Sequence, residues 1–192
     1  VMVGSVTVRG SSKRPVSDYV LVQGNLLMQW ASVHPQNDSR EEWMRHVIWE
    51  RNVHVPYDGQ ASIRNGLNVN GQDIVIRNNI FYQMRRAITI ETHSVTGASR
   101  NIHVYQNTHY IDQDKDSTHY FCAAGSGTTG AMLTNNLAVL HSNASSSGFT
   151  SVGGDAVVTK NYIYAPSRTG LCERPDGGTS CVDPELMNTN DW

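Results

Sequence analysis

Two short stretches carry side chains that could do chemistry together, provided the fold brings their members to one surface. Arg85-Arg86, Glu91 and His93 place two guanidiniums, a carboxylate and an imidazole within nine residues, and His119-Tyr120 adds a second imidazole and a phenol further on. A cation, a base and a proton donor are the ingredients of general acid–base chemistry on an anionic substrate. The second stretch, Asp112-Gln113-Asp114-Lys115-Asp116-Ser117, spaces carboxylates at alternate positions like the opening of a calcium loop. Asp112, Asp114 and Asp116 are therefore candidate ligands and Ca2+ the candidate cofactor. The run departs from that loop where Ser117 replaces the turn glycine and Ala123 the bidentate glutamate, so a hydrated acidic loop is the competing reading.

The eight histidines include His54 and His109, each two residues after an asparagine in equivalent contexts. They read as buried, hydrogen-bonded core histidines rather than a zinc site, which needs three or four converging ligands. Cys172 and Cys181 bracket a Gly/Pro-rich loop whose ends can meet, which suggests a disulfide, with two reduced thiols as the alternative. Cys122 sits in an apolar run and reads as buried and unpaired. A loop disulfide and a Ser/Thr/Asn/Gly-rich surface favour a secreted or cell-surface protein. A net charge of -2 and scattered basic residues give no phosphate-tracking face, so no nucleic acid is expected. No apolar run is long enough to span a bilayer, and any signal peptide was removed or lay upstream of Val1.

What must position these residues is a repeat. Asp73-Ile74-Val75-Ile76-Arg77-Asn78-Asn79-Ile80-Phe81 has degenerate copies centred on Val20-Val22-Asn25, Val47-Trp49-Asn52, Ile74-Ile76-Asn79, Ile102-Val104-Asn107, Ala131-Leu133-Asn136 and Ala156-Val158-Asn161. Subtracting successive Asn numbers gives 27, 27, 28, 29 and 25, a solenoid period. Each unit holds short strands joined by tight turns, so equivalent strands pair one coil apart, about 4.8 Å along the axis. The expected fold is all-β: a right-handed parallel β-helix of about six rungs over residues 1–165, followed by an irregular C-terminal tail over 166–192. The segment from Ala31 to Arg45 reads as an insertion carrying a short helix, with Ser39-Arg40-Glu41-Glu42 as a capping box. Asn25, Asn52, Asn79, Asn107, Asn136 and Asn161 form a structural ladder. Their amides both donate and accept between rungs, and asparagine tolerates a left-handed corner.

The Ile-x-Ile-Arg-Asn-Asn-Ile-Phe form, with a Gly-x-x-Val strand before it and an Asn ladder at the corner, resembles the right-handed parallel β-helix repeat of the pectate-lyase-like superfamily. The resemblance spans roughly residues 19–164, while Asn-Thr-Asp and Gly-His-Gly patterns like those of polygalacturonases are missing. It implies a saccharide groove on the outer face of the strand before the Ile-x-Ile strand. Carried over, that face offers Asn68 and Asn70, then Thr89 and Glu91, with Arg85, Arg86, His93, His119 and Tyr120 near it. A lyase acting on a uronate needs a cation for the carboxylate, a base for the C5 proton and an acid for the leaving oxygen. Arg86, His93 or His119, and Tyr120 fit those roles, and Glu91 could join a calcium site. The competing reading is that these are ordinary solvated residues.

The function expected is thus an exported β-helix that binds or cleaves an acidic polysaccharide, by β-elimination if it is a lyase. The alternative is a non-catalytic structural or adhesive β-helix, such as a fibre subunit or surface module. An apolar outward stripe, Leu21, Ile48, Val75, Met132 and Val157 with His103 among them, favours the alternative unless the tail or the insertion covers it. No capping helix is evident at either end, so the chain reads as part of a longer β-helix, or as one that self-associates laterally or end to end.

Overall fold

A computed structural model describes residues 2–3, 6–10, 19–28, 31–35, 44–56, 65–93, 97–111, 120–140, 148–151, 155–164 and 179–180. Among them there is no helix, and the strands stack in parallel into a β-helix whose coils each visit three sheets. Sheet 1 contains β2 (Thr7–Gly10), β5 (Ala31–Pro35), β8 (Asn65–Val69), β11 (Arg86–Ile90), β16 (Tyr120–Ala124) and β19 (Gly148–Ser151). Sheet 2 holds the Ile-x-Ile strands β3 (Val20–Gln23), β6 (Arg45–Glu50), β9 (Gln72–Arg77), β14 (Arg100–Tyr105), β17 (Met132–Thr134) and β20 (Val157–Thr159). Sheet 3 follows the asparagine corner with β1 (Met2–Val3), β4 (Leu26–Leu27), β7 (Val53–His54), β10 (Ile80–Tyr82), β15 (Thr108–Ile111), β18 (Leu137–Leu140), β21 (Asn161–Tyr164) and β22 (Thr179–Ser180). One antiparallel pair, β12 (Thr92–His93) with β13 (Gly97–Ala98), projects between sheets 1 and 2.

The repeat register expected from sequence is the register observed. Val22, Trp49, Ile76, Val104, Leu133 and Val158 align across sheet 2, and Leu27, His54, Phe81, His109, Ala138 and Ile163 across sheet 3. Nearly all of these are buried in the core. Both histidines are fully buried within the second column. Trp49 Nε1 donates to His54 Nε2 at 3.1 Å, and His109 Nε2 lies 2.8 Å from the Met84 carbonyl. Burial drives the His54 imidazole down from 6.5 to about 3, against a smaller opposing pull from the Gly66 backbone. Cys122 is free and buried, which pushes its thiol up to about 12.

The asparagine ladder runs unbroken through six coils. Asn107 is typical: its backbone N–H and its Nδ2 both donate to Asn136 Oδ1 at 3.0 Å. Its Nδ2 also donates back to the Ile76 carbonyl at 2.9 Å, while its Oδ1 accepts from Asn79 N at 3.0 Å and Nδ2 at 2.9 Å. The same links join Asn25 to Asn52, Asn52 to Asn79 and Asn136 to Asn161. Only an amide of this length both donates and accepts here; aspartate lacks the donor.

One part of the ladder's expected rationale is corrected. The left-handed residue is not the ladder asparagine but the one before it: Gly24, Arg51, Asn78, Gln106, Asn135 and Lys160 have φ between 52° and 69°. The bend is thus separated from the hydrogen-bonding position, and the exposed bend residue needs no particular side chain. A second correction concerns the segment from Ala31 to Arg45. It opens as a sheet 1 strand, β5, and Met44 is buried in the core; residues 36–43, with the capping box, lie outside the described residues. Of the C-terminal tail, Thr179–Ser180 pairs onto Asn161–Tyr162. Cys172 and Cys181 lie outside the described residues.

Two measurements check this account. Asn107→Ala strips acceptors or donors from neighbours on both sides and should cost about 3 kcal/mol or more in chemical denaturation. Asn25→Ala, at a half-exposed end of the ladder, should cost roughly a third of that. His54 stays neutral in the folded chain down to about 3, whereas the unfolded chain takes up a proton below 6.5. The unfolded state binds more protons between those values, so stability falls as pH drops through that window, by up to about 1.4 kcal/mol per pH unit. His54→Phe should make that acid slope shallower in pH-dependent denaturation.

Candidate functional site

The side chains that could act together lie on the outer face of sheet 1, and a break in strand alternation puts them there. In β8 and β11 the burial order is intermediate, buried, buried, intermediate, buried. Two consecutive residues face in at each coil: Gly66-Leu67, Ala87-Ile88 and Phe121-Cys122. Strict alternation from Ile88 and Ile90 would carry Arg86 into the core. The doubled inward step turns it out, together with Asn65 and Tyr120, which align with it. A second outward column follows in register: Thr7, Ser32, Asn68, Thr89, Ala123 and Ser151.

Arg86, Thr89, Glu91 and Thr92 from one coil, and Tyr120, Ala123, Ala124, Gly125 and Ser126 from the next, line a cleft of about 520 Å³. Its size falls within the range of small-ligand sites. Three of the five residues singled out for catalysis, Arg86, Glu91 and Tyr120, meet here. The backbone of His93 lies in β12, beside the cleft's Thr92, but its side chain lies outside the described residues. So do His119 and the acidic run Asp112, Asp114 and Asp116. Among the described residues no three His, Cys, Asp or Glu side chains converge as a metal site.

The cleft's far wall is built from the corner between sheets 1 and 2. Asn70, expected on the outer face, is buried there instead at 1% exposure, because the chain turns inward at Asn70-Gly71. Its Nδ2 donates to the carbonyls of Glu91 (2.8 Å) and Gly97 (3.0 Å), tying the β12–β13 hairpin to the coil below. Ser99 Oγ donates to the same Glu91 carbonyl at 2.9 Å. Thr92 Oγ1 donates to the Ser126 carbonyl at 2.8 Å, clamping the hairpin to the Ser126 turn of the next coil. Gly125 is required at that contact: a Cβ there would lie 2.7 Å from Thr92 Oγ1 and 3.1 Å from Thr92 N. Sequence reasoning missed Thr92, Gly125 and Ser126. Gly125-Ser126-Gly127 was their one signal, a turn that nothing in the repeat demands.

The electrostatics differ sharply between Arg77 on sheet 2 and Arg86 on sheet 1. Arg77 is satisfied, with its Nε 2.6 Å from Glu50 Oε2 and its Nη1 3.0 Å from the Tyr105 hydroxyl. Arg86 makes no ion pair among the described residues, and its buried Nε has no hydrogen-bond partner. Thr89 Oγ1, on the cleft floor, is also buried without a partner. Two lining residues of one cleft thus each carry a buried polar atom without a hydrogen-bond partner.

No family model matches the chain, and neither does any curated protein or any solved structure.

The clamp carries its own prediction. Gly125→Ala should cost about 1–3 kcal/mol of stability through the clash with Thr92. In the double variant with Thr92→Ala the loss should be clearly less than the sum of the single losses, measured as a double-mutant cycle by chemical denaturation.

Proposed function

We propose that this chain is an exported β-helix related to the pectate-lyase-like superfamily, and that it binds an acidic polysaccharide in the cleft on sheet 1. The observation that carries this reading is Arg86, a guanidinium without a carboxylate partner among the described residues, which lines the same cleft as the unpartnered Thr89 hydroxyl. A uronate carboxylate would answer both, and a charge-assisted pair of this kind is among the stronger hydrogen bonds available.

The reaction this set of side chains suits is β-elimination. Arg86 neutralises the uronate carboxylate and so stabilises negative charge developing at C5. A base removes the C5 proton, a C4–C5 double bond forms, and the C4–O bond breaks with its electron pair leaving on oxygen. Tyr120 is the proton donor to that oxygen, and Glu91, His93 or His119 supplies the base. Ca2+ held by Asp112, Asp114 and Asp116 would add positive charge next to an acidic sugar.

A second reading rests on a different face. Sheet 2 presents Leu21, Ile48, Val75, His103, Met132 and Val157 outward in one register, with Leu21 56% and Val157 47% exposed. Sheet 3 adds Leu26, Val53, Ile80, Thr108, Leu137 and Tyr162, a column with no charged residue. Such faces suit a structural or adhesive β-helix that associates laterally.

Release of unsaturated uronate from pectate, alginate and glycosaminoglycan, followed by absorbance with calcium and with chelator, separates the two. The first reading expects turnover on one polymer that drops at least tenfold in Arg86→Gln and in Glu91→Ala. No turnover and no binding on any acidic polymer, with the chain sedimenting as a large assembly, would leave the second.

A further inference from the structure

We infer that the cleft takes the end of an acidic saccharide chain, or a free oligomer of two or three units, and excludes the middle of a long polymer. This rests on the reading of the cleft as an acidic-saccharide site and concerns which part of the saccharide fits.

The first observation is length. Among the described residues the lining comes from two coils, β11 with its following turn and β16 with its own. Coils lie about 4.8 Å apart, comparable with one pyranose repeat along a polysaccharide. The open floor, Thr89 followed by Ala123, is therefore about two sugar units long. A volume of about 520 Å³ agrees, since it suits a ligand of drug-like size rather than an extended polymer.

Closure is the second observation. The floor column continues toward the N-terminal coils through Asn68 to Ser32. Ser32 is only 1% exposed, and its hydroxyl is engaged with Thr7 at 3.4 Å. Asn68 between them is partly buried and accepts from Asn65 Nδ2 at 3.3 Å. A polymer lying along the sheet would have to pass over Ser32, whose covered side chain offers it no contact. Sideways exit past Glu91 is blocked as well, by the β12–β13 hairpin and the Ser126 turn clamped through Thr92. With one end and one side shut, the saccharide must enter by a terminus. Arg86, at the other edge of the floor, then reads the carboxylate of a terminal or penultimate uronate.

The test is calorimetric titration of the full chain with 1,4-linked uronate oligomers of one to six units, in both the galacturonate and the mannuronate series. A chain-end cleft predicts that Kd falls from the monomer to the dimer or trimer and then stays within about twofold up to the hexamer. Arg86→Gln should raise Kd for trimer and hexamer by the same factor, about tenfold or more. If affinity instead climbs a further tenfold or more between trimer and hexamer, the cleft is a through-going groove; chain-end recognition is overturned while the saccharide reading stands. If neither series binds at any length, both fall together.

Discussion

The hydrogen bonds that pass from coil to coil through the asparagine column are the constraint on which everything else in this structure depends. A single coil of this chain cannot bury its own apolar side chains. It becomes stable only when the next coil covers it, and the two must then agree in register to within one residue. The asparagines enforce that agreement. Each amide bridges to the following coil while its backbone N–H uses the same acceptor, so a one-residue slip would leave several buried polar groups unsatisfied at once. The inward columns then follow, and Val, Ile, Leu, Phe and Trp stack behind a fixed corner.

Putting the core inside the coil frees the outer faces to differ, and the three sheets differ in chemistry. Sheet 2 mixes an apolar stripe with a satisfied Glu50–Arg77–Tyr105 line. Sheet 3 is apolar and aromatic, its Tyr82 and Tyr110 rings stacked at 5.9 Å. Sheet 1 differs in leaving its cation unpaired: Arg86 stands near Glu91, Tyr120 and small hydroxyl-bearing residues without the partners that satisfy Arg77, and among the described residues the corner hairpin that forms a wall rises beside this sheet. The stiffness of the stack is what makes such a cleft useful: strands one coil apart hold Arg86 and Tyr120 in register without relying on mobile loops.

Much of the fold was legible in the sequence because its signals are repetitive. Six asparagines at a nearly constant spacing, each preceded by two apolar residues, leave few alternatives, and the strand pairs realise that alignment residue by residue. The site was legible only in part. Arg86, Glu91 and Tyr120 stood out by residue type, but their outward orientation follows from the doubled inward step at Ala87-Ile88, which a period-of-two reading cannot anticipate. Asn70 looked like a surface residue because the turn at Gly71 leaves no pattern. The left-handed bend was assigned to asparagine because asparagine tolerates it. The bend falls one residue earlier, on Gly24, Asn78 and Asn135 but also on Arg51, Gln106 and Lys160, where stacking neighbours on both sides outweigh a cost of about 1–2 kcal/mol per bend. The apolar sheet 3 face escaped notice because its strands are only two to four residues long, too short for a pattern.

The central claim is that ligand recognition resides in the cleft between β11 and β16 and not on the apolar faces of sheets 2 and 3. Hydrogen–deuterium exchange of the full chain, with and without a saturating uronate trimer, addresses that location directly. The account predicts added protection confined to peptides covering residues 86–92 and 120–126, with the sheet 2 and sheet 3 strands unchanged. Protection spread along sheet 2 or sheet 3, with 86–92 and 120–126 unaffected, would contradict it.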